Sequence, residues 1–242
     1  MKNSNTLVLA HYYTEPKVQQ LADFVGDSLE LSLRAKESKA ERIVFAGVKF
    51  MAETAKIINP QAEVILPDET ATCSLVTQSE KPYIEMGYGN TMTEHMPLLE
   101  ILKEIRKSKN NVTVVTYINS SYQVKALSDI IVTSANVEDI VTDLISTGNH
   151  IYFTPDRNMG AYLKFQHPGW FGNFNYYEGA VCEVHDRFVS EDLEKLYGRT
   201  NGPKYFLAHP ESPLPVLKQA NMVGSTSKML KYITDFPTNK PA

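Results

Sequence analysis

The sequence is short of several things, and each shortage excludes a class of protein. No apolar run approaches the ~20 residues that a membrane-spanning helix needs. The N-terminal Leu7–Ala10 is too brief for the apolar core of a secretory signal. Two cysteines in 242 residues cannot make a disulfide framework. With the cytoplasm as the expected compartment, they read as buried thiols or metal ligands. Positive charge is not in excess: 24 Lys and Arg face 28 Asp and Glu, a net charge of −4. A nucleic-acid partner is therefore not expected, because such proteins carry a basic footprint. The densest basic stretch, Lys103–Asn110, reads as the solvated end of a helix. What remains is a composition of 43% hydrophobic and 21% charged residues, ordinary for a soluble chain of one to three small domains.

What is present is a repeat. Three segments begin with a short β-type run (Thr6–Ala10, Val112–Tyr117, Lys204–Ala208), and each run ends at a polar or aromatic residue: His11, Tyr117, His209. A helix-period segment follows, then a second apolar run, then Ser28, Ser134 or Thr226 opening another helix. Seventeen residues separate His11 from Ser28, Tyr117 from Ser134 and His209 from Thr226. Equal spacing between chemically similar positions marks an internal repeat. Alternating strands and helices predict parallel sheets with helices on both faces.

The first two repeats have a second half. Glu41–Cys73 and Gly148–Cys182 both read strand, loop with a methionine, helix, strand, loop, cysteine. Ile43 and Ile151 are 108 residues apart, and Cys73 and Cys182 are 109 apart. On the 92-residue offset from Tyr117 to His209, a third second half is expected near position 243, just past Ala242. The expected units are residues 1–83, 84–190 and 191–242, the last with its first half only.

Functional groups of parallel α/β units sit at the carboxyl ends of strands. Converging units would place His11, Tyr117 and His209 around one pocket, with Ser28, Ser134 and Thr226 at neighbouring helix starts. Free N–H groups and the dipole there suit a small polyanion. The structural alternative is that these Ser and Thr residues are simply N-caps. Cys73 and Cys182 close equivalent loops, which suits a cluster held by converging cysteines or a pair of buried thiols. Cys182–His185 also looks like half of a zinc site. His11, Tyr13, His209 and Glu211 have the pKa range and reach for acid–base work. Glu53 reads as a helix cap, and His95, His150 and His167 show no partner.

Together, the segments LVLAHYYTEP, GVKFMAE, ATCS, TYINSS, TSAN, PDRNMGAYL, CEVH, HPES and VGSTSKM resemble the quinolinate synthase family of NAD biosynthesis. The resemblance runs the length of the chain, in order. It implies three α/β/α sandwich domains with parallel sheets about a pseudo-threefold axis, the third incomplete here. It implies condensation of iminoaspartate with dihydroxyacetone phosphate to quinolinate, with release of phosphate and water. An aspartate-oxidising enzyme that supplies iminoaspartate is the implied partner. The implied cofactor is a 4Fe–4S cluster on three cysteines, whose open iron acts as a Lewis acid.

By motif, the resemblance assigns cluster ligation to Cys73 and Cys182. It assigns substrate contacts to His11, Ser28, Tyr117, Ile118, Asn119, Ser134, His209, Pro210, Glu211 and Thr226. Tyr13, Tyr117, His209 and Glu211 are the implied catalytic group, with Glu211 as general acid–base. Two departures stand out: Tyr12 where the family usually has Asn, and Ser212 where Cys is common. The third cluster cysteine is expected in the second half of the third unit. Two alternatives differ in class: a cluster-free paralogue that binds a small phosphorylated or dicarboxylic ligand, and a relative of the diphthamide-synthesis enzymes acting on a protein partner.

Overall fold

A computed structural model describes residues 5–86, 92–108, 111–199 and 205–235. The expected strand–helix alternation is present. The first sheet has four parallel strands: β1 (Thr6–His11), β2 (Phe24–Gly26), β3 (Arg42–Ala46) and β4 (Glu63–Ile65), in the order β2-β1-β3-β4. Its helices are α1 (Pro16–Gln19), α2 (Ser28–Glu37), α3 (Lys49–Ile58) and α4 (Ser74–Ser79).

An antiparallel hairpin, β5 (Tyr83–Met86) and β6 (Met92–His95), and then α5 (Leu98–Lys107) lead to the second sheet. That hairpin was not anticipated. The second sheet comprises β7 (Val112–Tyr117), β8 (Ile130–Val132), β9 (His150–Thr154) and β10 (Phe174–Tyr176), in the order β10-β9-β7-β8. Taken from its other edge, this is the strand order of the first sheet, and its pairings are also parallel. Its helices are α6 (Tyr122–Ala126), α7 (Val137–Ser146) and α8 (Arg157–Gln166). After α9 (Ser190–Arg199), β11 (Leu207–Ala208) and β12 (Met222–Val223) repeat the first strand pair, with α10 (Leu214–Leu217) between them and α11 (Thr226–Thr234) following. The expected C-terminal stretch 236–242 lies outside the described residues.

Burial explains the strand assignments. Leu9 and Ala10 are consecutive and both fully buried, and Val114–Tyr117 are buried throughout. Strands covered on both faces need such runs rather than alternation. On α5, Leu98 and Leu102 face inward, while Lys103–Glu100 and Lys107–Glu104 pairs lie outside. Lys103 and Lys107 are thus on the solvated end of a helix, as expected. One detail differs: Met51 and Met159 belong to α3 and α8, not to the preceding loops. Each helix starts close behind its strand.

Hydrogen bonds link the segments around the three parallel sheets to one another. Between the first and second, Ser74 Oγ accepts from the Glu183 amide at 3.0 Å, and Gln78 Oε1 accepts from the Val181 amide at 2.9 Å. Between the second and third, Asn158 Nδ2 donates to the Glu211 carbonyl at 3.0 Å. Between the third and first, Ser227 Oγ donates to Asp27 Oδ2 at 2.7 Å. Glu53 lies inside α3 and caps not its own helix but α6, accepting from the Tyr122 amide at 3.1 Å. His95 pairs with Glu85 and stacks on Tyr83, and His167 pairs with Glu138 and stacks on Trp170.

Candidate active site

The strand ends meet. His11 ends β1, Tyr117 ends β7 and His209 follows β11, and all three are buried on one cavity of about 800 Å³. The His11 Nδ1 accepts from the Tyr13 amide at 3.2 Å, so Nε2 carries the proton of the neutral ring. Burial, opposed only in part by the nearby Asp27 and Glu211 charges, lowers the His11 imidazole to about 4. It is therefore neutral at pH 7, with one N–H to offer. Tyr13 OH lies 3.0 Å from Thr226 Oγ1, and His209 Nε2 lies 3.1 Å from Ser134 Oγ.

The helix starts separate the two readings of the hydroxyl residues. α2 is capped by Asp27, whose Oδ1 accepts from the Leu29 and Glu30 amides at 3.0 Å each, with Glu30 returning the bond to the Asp27 amide. This reciprocal arrangement needs Ser or Asp at the cap and Glu three residues on, which Asp27 and Glu30 supply. α11 is capped by Ser225, which accepts from the Lys228 amide. α7 begins after Asn136, two residues beyond Ser134. Ser28, Ser134 and Thr226 are therefore not the caps. All three line the cavity instead.

Glu211 is the charged centre. Its carboxylate is 2.9 Å from His185 Nδ1 and 3.4 Å from His209 Nδ1, and Asn119 Nδ2 donates to Oε1 at 3.4 Å. Burial alone would raise this carboxyl. The bonds and charges of His185 and His209 outweigh it and hold Glu211 well below the usual carboxylate range. His185 shows the reverse balance: burial lowers it, but Cys182 and Glu211 raise it to about 10. Buried Tyr117 is pushed well above 10, first by desolvation and then by the Glu211 charge, so it stays a phenol. Asp156 at the start of α8 is also raised by burial and by Glu211. It accepts from the Met159 amide at 2.6 Å and the Cys182 amide at 3.3 Å.

Both cysteines face this cavity. Cys73 occupies the cap position of α4 and lies 4.0 Å from Asn119 Nδ2; burial, then the Glu211 charge, pushes its thiol up to about 11. Cys182 Sγ is 3.1 Å from His185 Nδ1, and Cys182, His185 and Glu211 present ligand atoms all within 4.8 Å of one another. The Asn119 Oδ1 is buried with no hydrogen-bond partner. Buried acceptors of this kind are rare without a ligand or water to satisfy them.

A family profile described as Quinolinate synthetase A protein matches residues 1–241. The chain belongs to this family. Among curated quinolinate synthases, that of Ehrlichia chaffeensis is 39% identical over 243 residues, covering 99% of this chain and 68% of the relative. Those of Cyanophora paradoxa and a Synechococcus strain are each 40% identical, covering 96% and 98% of this chain but 63% and 66% of the relatives. The chain thus spans about two thirds of the length of the curated quinolinate synthases it matches. The diphthamide-type alternative is set aside by the family match.

Most of the residues assigned by quinolinate synthase resemblance line the cavity, including Ser28, Asn119, Ser134 and Thr226. Ile118 and Pro210 do not line it. Ile118 is buried and its amide donates to the Val132 carbonyl at 2.8 Å, holding β7 to β8, and Pro210 lies buried in the turn after β11. The sequence reading missed the roles of Asp27 and Asp156. It also missed His185 as the partner of Glu211. The Asp27–Glu30 spacing was a readable capping signal. Nothing local signalled the His185–Glu211 pair.

Among the described residues, no helix is long and apolar enough to cross a membrane.

Proposed function

We propose that this chain carries the quinolinate-forming site of its family. The reaction is condensation of iminoaspartate with dihydroxyacetone phosphate, releasing phosphate and water. One observation carries the reading: the polar ends of three repeated strands and three hydroxyls not used as helix caps share one cavity with both cysteines.

The two substrates are polyanions, and the donors suit them. The neutral His11 Nε2–H and Ser28 Oγ, at the start of α2, form one anion-binding face. Thr226 Oγ1 at the start of α11 and Ser134 Oγ form others. Ring formation moves protons between carbon, nitrogen and leaving oxygens. Glu211, held ionised by His185, takes a proton at its carboxylate. The Tyr117 and Tyr13 phenols stay protonated and donate to departing oxygen, and His209 is set by Ser134 to hold the substrate beside them.

Cys73 and Cys182 fit an iron–sulfur cluster as soft thiolate donors on one cavity. The sequence contains these two cysteines only. When bound, such a cluster supplies a Lewis-acid iron that polarises a carbonyl or hydroxyl oxygen. An aspartate-oxidising enzyme would supply the unstable iminoaspartate.

The test is anaerobic reconstitution of the chain with iron and sulfide, followed by assay for quinolinate. Bound iron and product in the parent, with both lost in Cys73→Ser, support the proposal. A chain that binds dihydroxyacetone phosphate yet takes up no iron and makes no quinolinate would refute it and favour the cluster-free ligand-binding alternative.

A further inference from the structure

Cys182–His185 looked like half of a zinc site whose second half was not visible nearby. Folding brings another donor to it. Cys182 and His185 lie on one short turn, closed by the Asp186 amide donating to the Cys182 carbonyl at 2.8 Å. This puts Sγ and Nδ1 side by side at 3.1 Å. Glu211 arrives from the loop after β11, fixed from behind by Asn158 Nδ2 on its carbonyl at 3.0 Å, and its Oε2 lies 2.9 Å from the same Nδ1.

We infer that Cys182, His185 and Glu211 form a mononuclear site for a tetrahedral divalent transition metal such as Zn²⁺, distinct from the cluster and exclusive of it. Metal bonds of about 2.0–2.3 Å put tetrahedral ligand atoms roughly 3.3–3.7 Å apart. The three donor atoms, all within 4.8 Å of one another, need only small shifts to meet that spacing. The charges balance as well. One thiolate, one carboxylate and one neutral imidazole bring two negative charges to a 2+ ion. The metal replaces the proton on His185 Nδ1, and any on Cys182, releasing them to solvent. Three protein ligands leave a fourth position for a water or a substrate oxygen, the arrangement of open rather than structural zinc sites. Asn158 Nδ2 also donates to Asp186 Oδ1 at 2.9 Å, so one side chain braces both ligand loops. Cys182 cannot serve the mononuclear ion and a cluster together, so Zn²⁺ opposes cluster assembly.

The site shares Cys182 and Glu211 with the proposed reaction, but its test is independent of that reaction. The cluster-free chain, prepared anaerobically with chelator, is titrated with Co²⁺ and followed by absorption. One equivalent should produce tetrahedral d–d bands with a thiolate-to-cobalt charge-transfer band, both erased by Zn²⁺. His185→Ala should weaken Co²⁺ binding by more than about a hundredfold, since even outer partners of metal ligands are worth 10–100-fold. Cys182→Ser should abolish the charge-transfer band. Cys73→Ser should leave both bands and the affinity unchanged, although it removes a cluster ligand. No thiolate band at one equivalent in the parent chain overturns the inference. So does His185→Ala binding like the parent, or Cys73→Ser losing the band as Cys182→Ser does. The readout is spectroscopic, so failure to form quinolinate does not bear on it.

Discussion

His185 Nδ1 and Glu211 Oε2 are 2.9 Å apart, although the residues sit on separate loops 26 positions apart in sequence. The contact sets the charge state of the site. Each group moves the other toward its ionised form, against the burial that opposes both. A buried pair of this kind is weak as a source of stability but costly to break from one side.

Glu211→Gln should therefore uncover His185. Its imidazole should drop from about 10 toward the ordinary 6.5, read by NMR of the ring nitrogens. Quinolinate formation should fall by about a hundredfold or more, the scale of a lost acid–base group. A histidine still protonated at pH 9 in the variant would contradict this account.

The acid limb of stability should depend on His11. Its folded value is about 4 against 6.5 for the free ring, so the unfolded chain binds the extra proton first. Stability is then full above pH 6.5 and declines as pH falls toward 4. Urea unfolding of His11→Gln across that window should show a shallower decline than the parent. Equal slopes would place the acid sensitivity elsewhere.

Lys125 should act at the alkaline side. Buried on α6, it donates to the Phe50 carbonyl at 3.0 Å and to Thr54 Oγ1 at 2.7 Å, and burial lowers it to about 7. Between about 7 and 10.5 the unfolded chain holds the proton that the folded chain has lost, so stability from this group rises with pH. Lys125→Met should remove that rise. The Phe50 carbonyl keeps its bond from Thr54 Oγ1 at 2.7 Å, so losing the Lys125 bond should cost only about 0.5–1.5 kcal/mol in denaturant unfolding.

Asp27→Ala removes both the cap of α2 and the acceptor of Ser227. A lost cap costs about 0.5–2 kcal/mol. The melting temperature should fall, and amide exchange should quicken at the start of both α2 and α11. Acceleration confined to α2 would show that the Ser227 bond does not hold the third unit to the first.

Much of this was legible along the chain. The equal spacings from His11 to Ser28, Tyr117 to Ser134 and His209 to Thr226 marked the repeat, and strand ends carry those positions as expected. The helix starts were legible only in part. Capping was the alternative to a pocket role for Ser28 and Thr226, and the residue before each took the cap place. A cap is chosen by backbone geometry within one residue, finer than periodicity resolves. The hairpin of β5 and β6 was not foreseen, although the sequence between its strands, with Gly87, Gly89 and Asn90, is rich in turn-forming residues.

The sequence by itself determined the repeated strand–helix order, the parallel class and the repeated positions His11, Ser28, Tyr117, Ser134, His209 and Thr226. Burial period and repeat spacing are local properties that survive without knowledge of the packing. Only the tertiary structure decided that Asp27 and Ser225 free Ser28 and Thr226, that His185 answers Glu211, and that Cys182 has two further ligand atoms beside it. The caps turn on local backbone geometry, whereas the 2.9 Å contact from His185 to Glu211 joins separate loops and exists only after the sheets have packed.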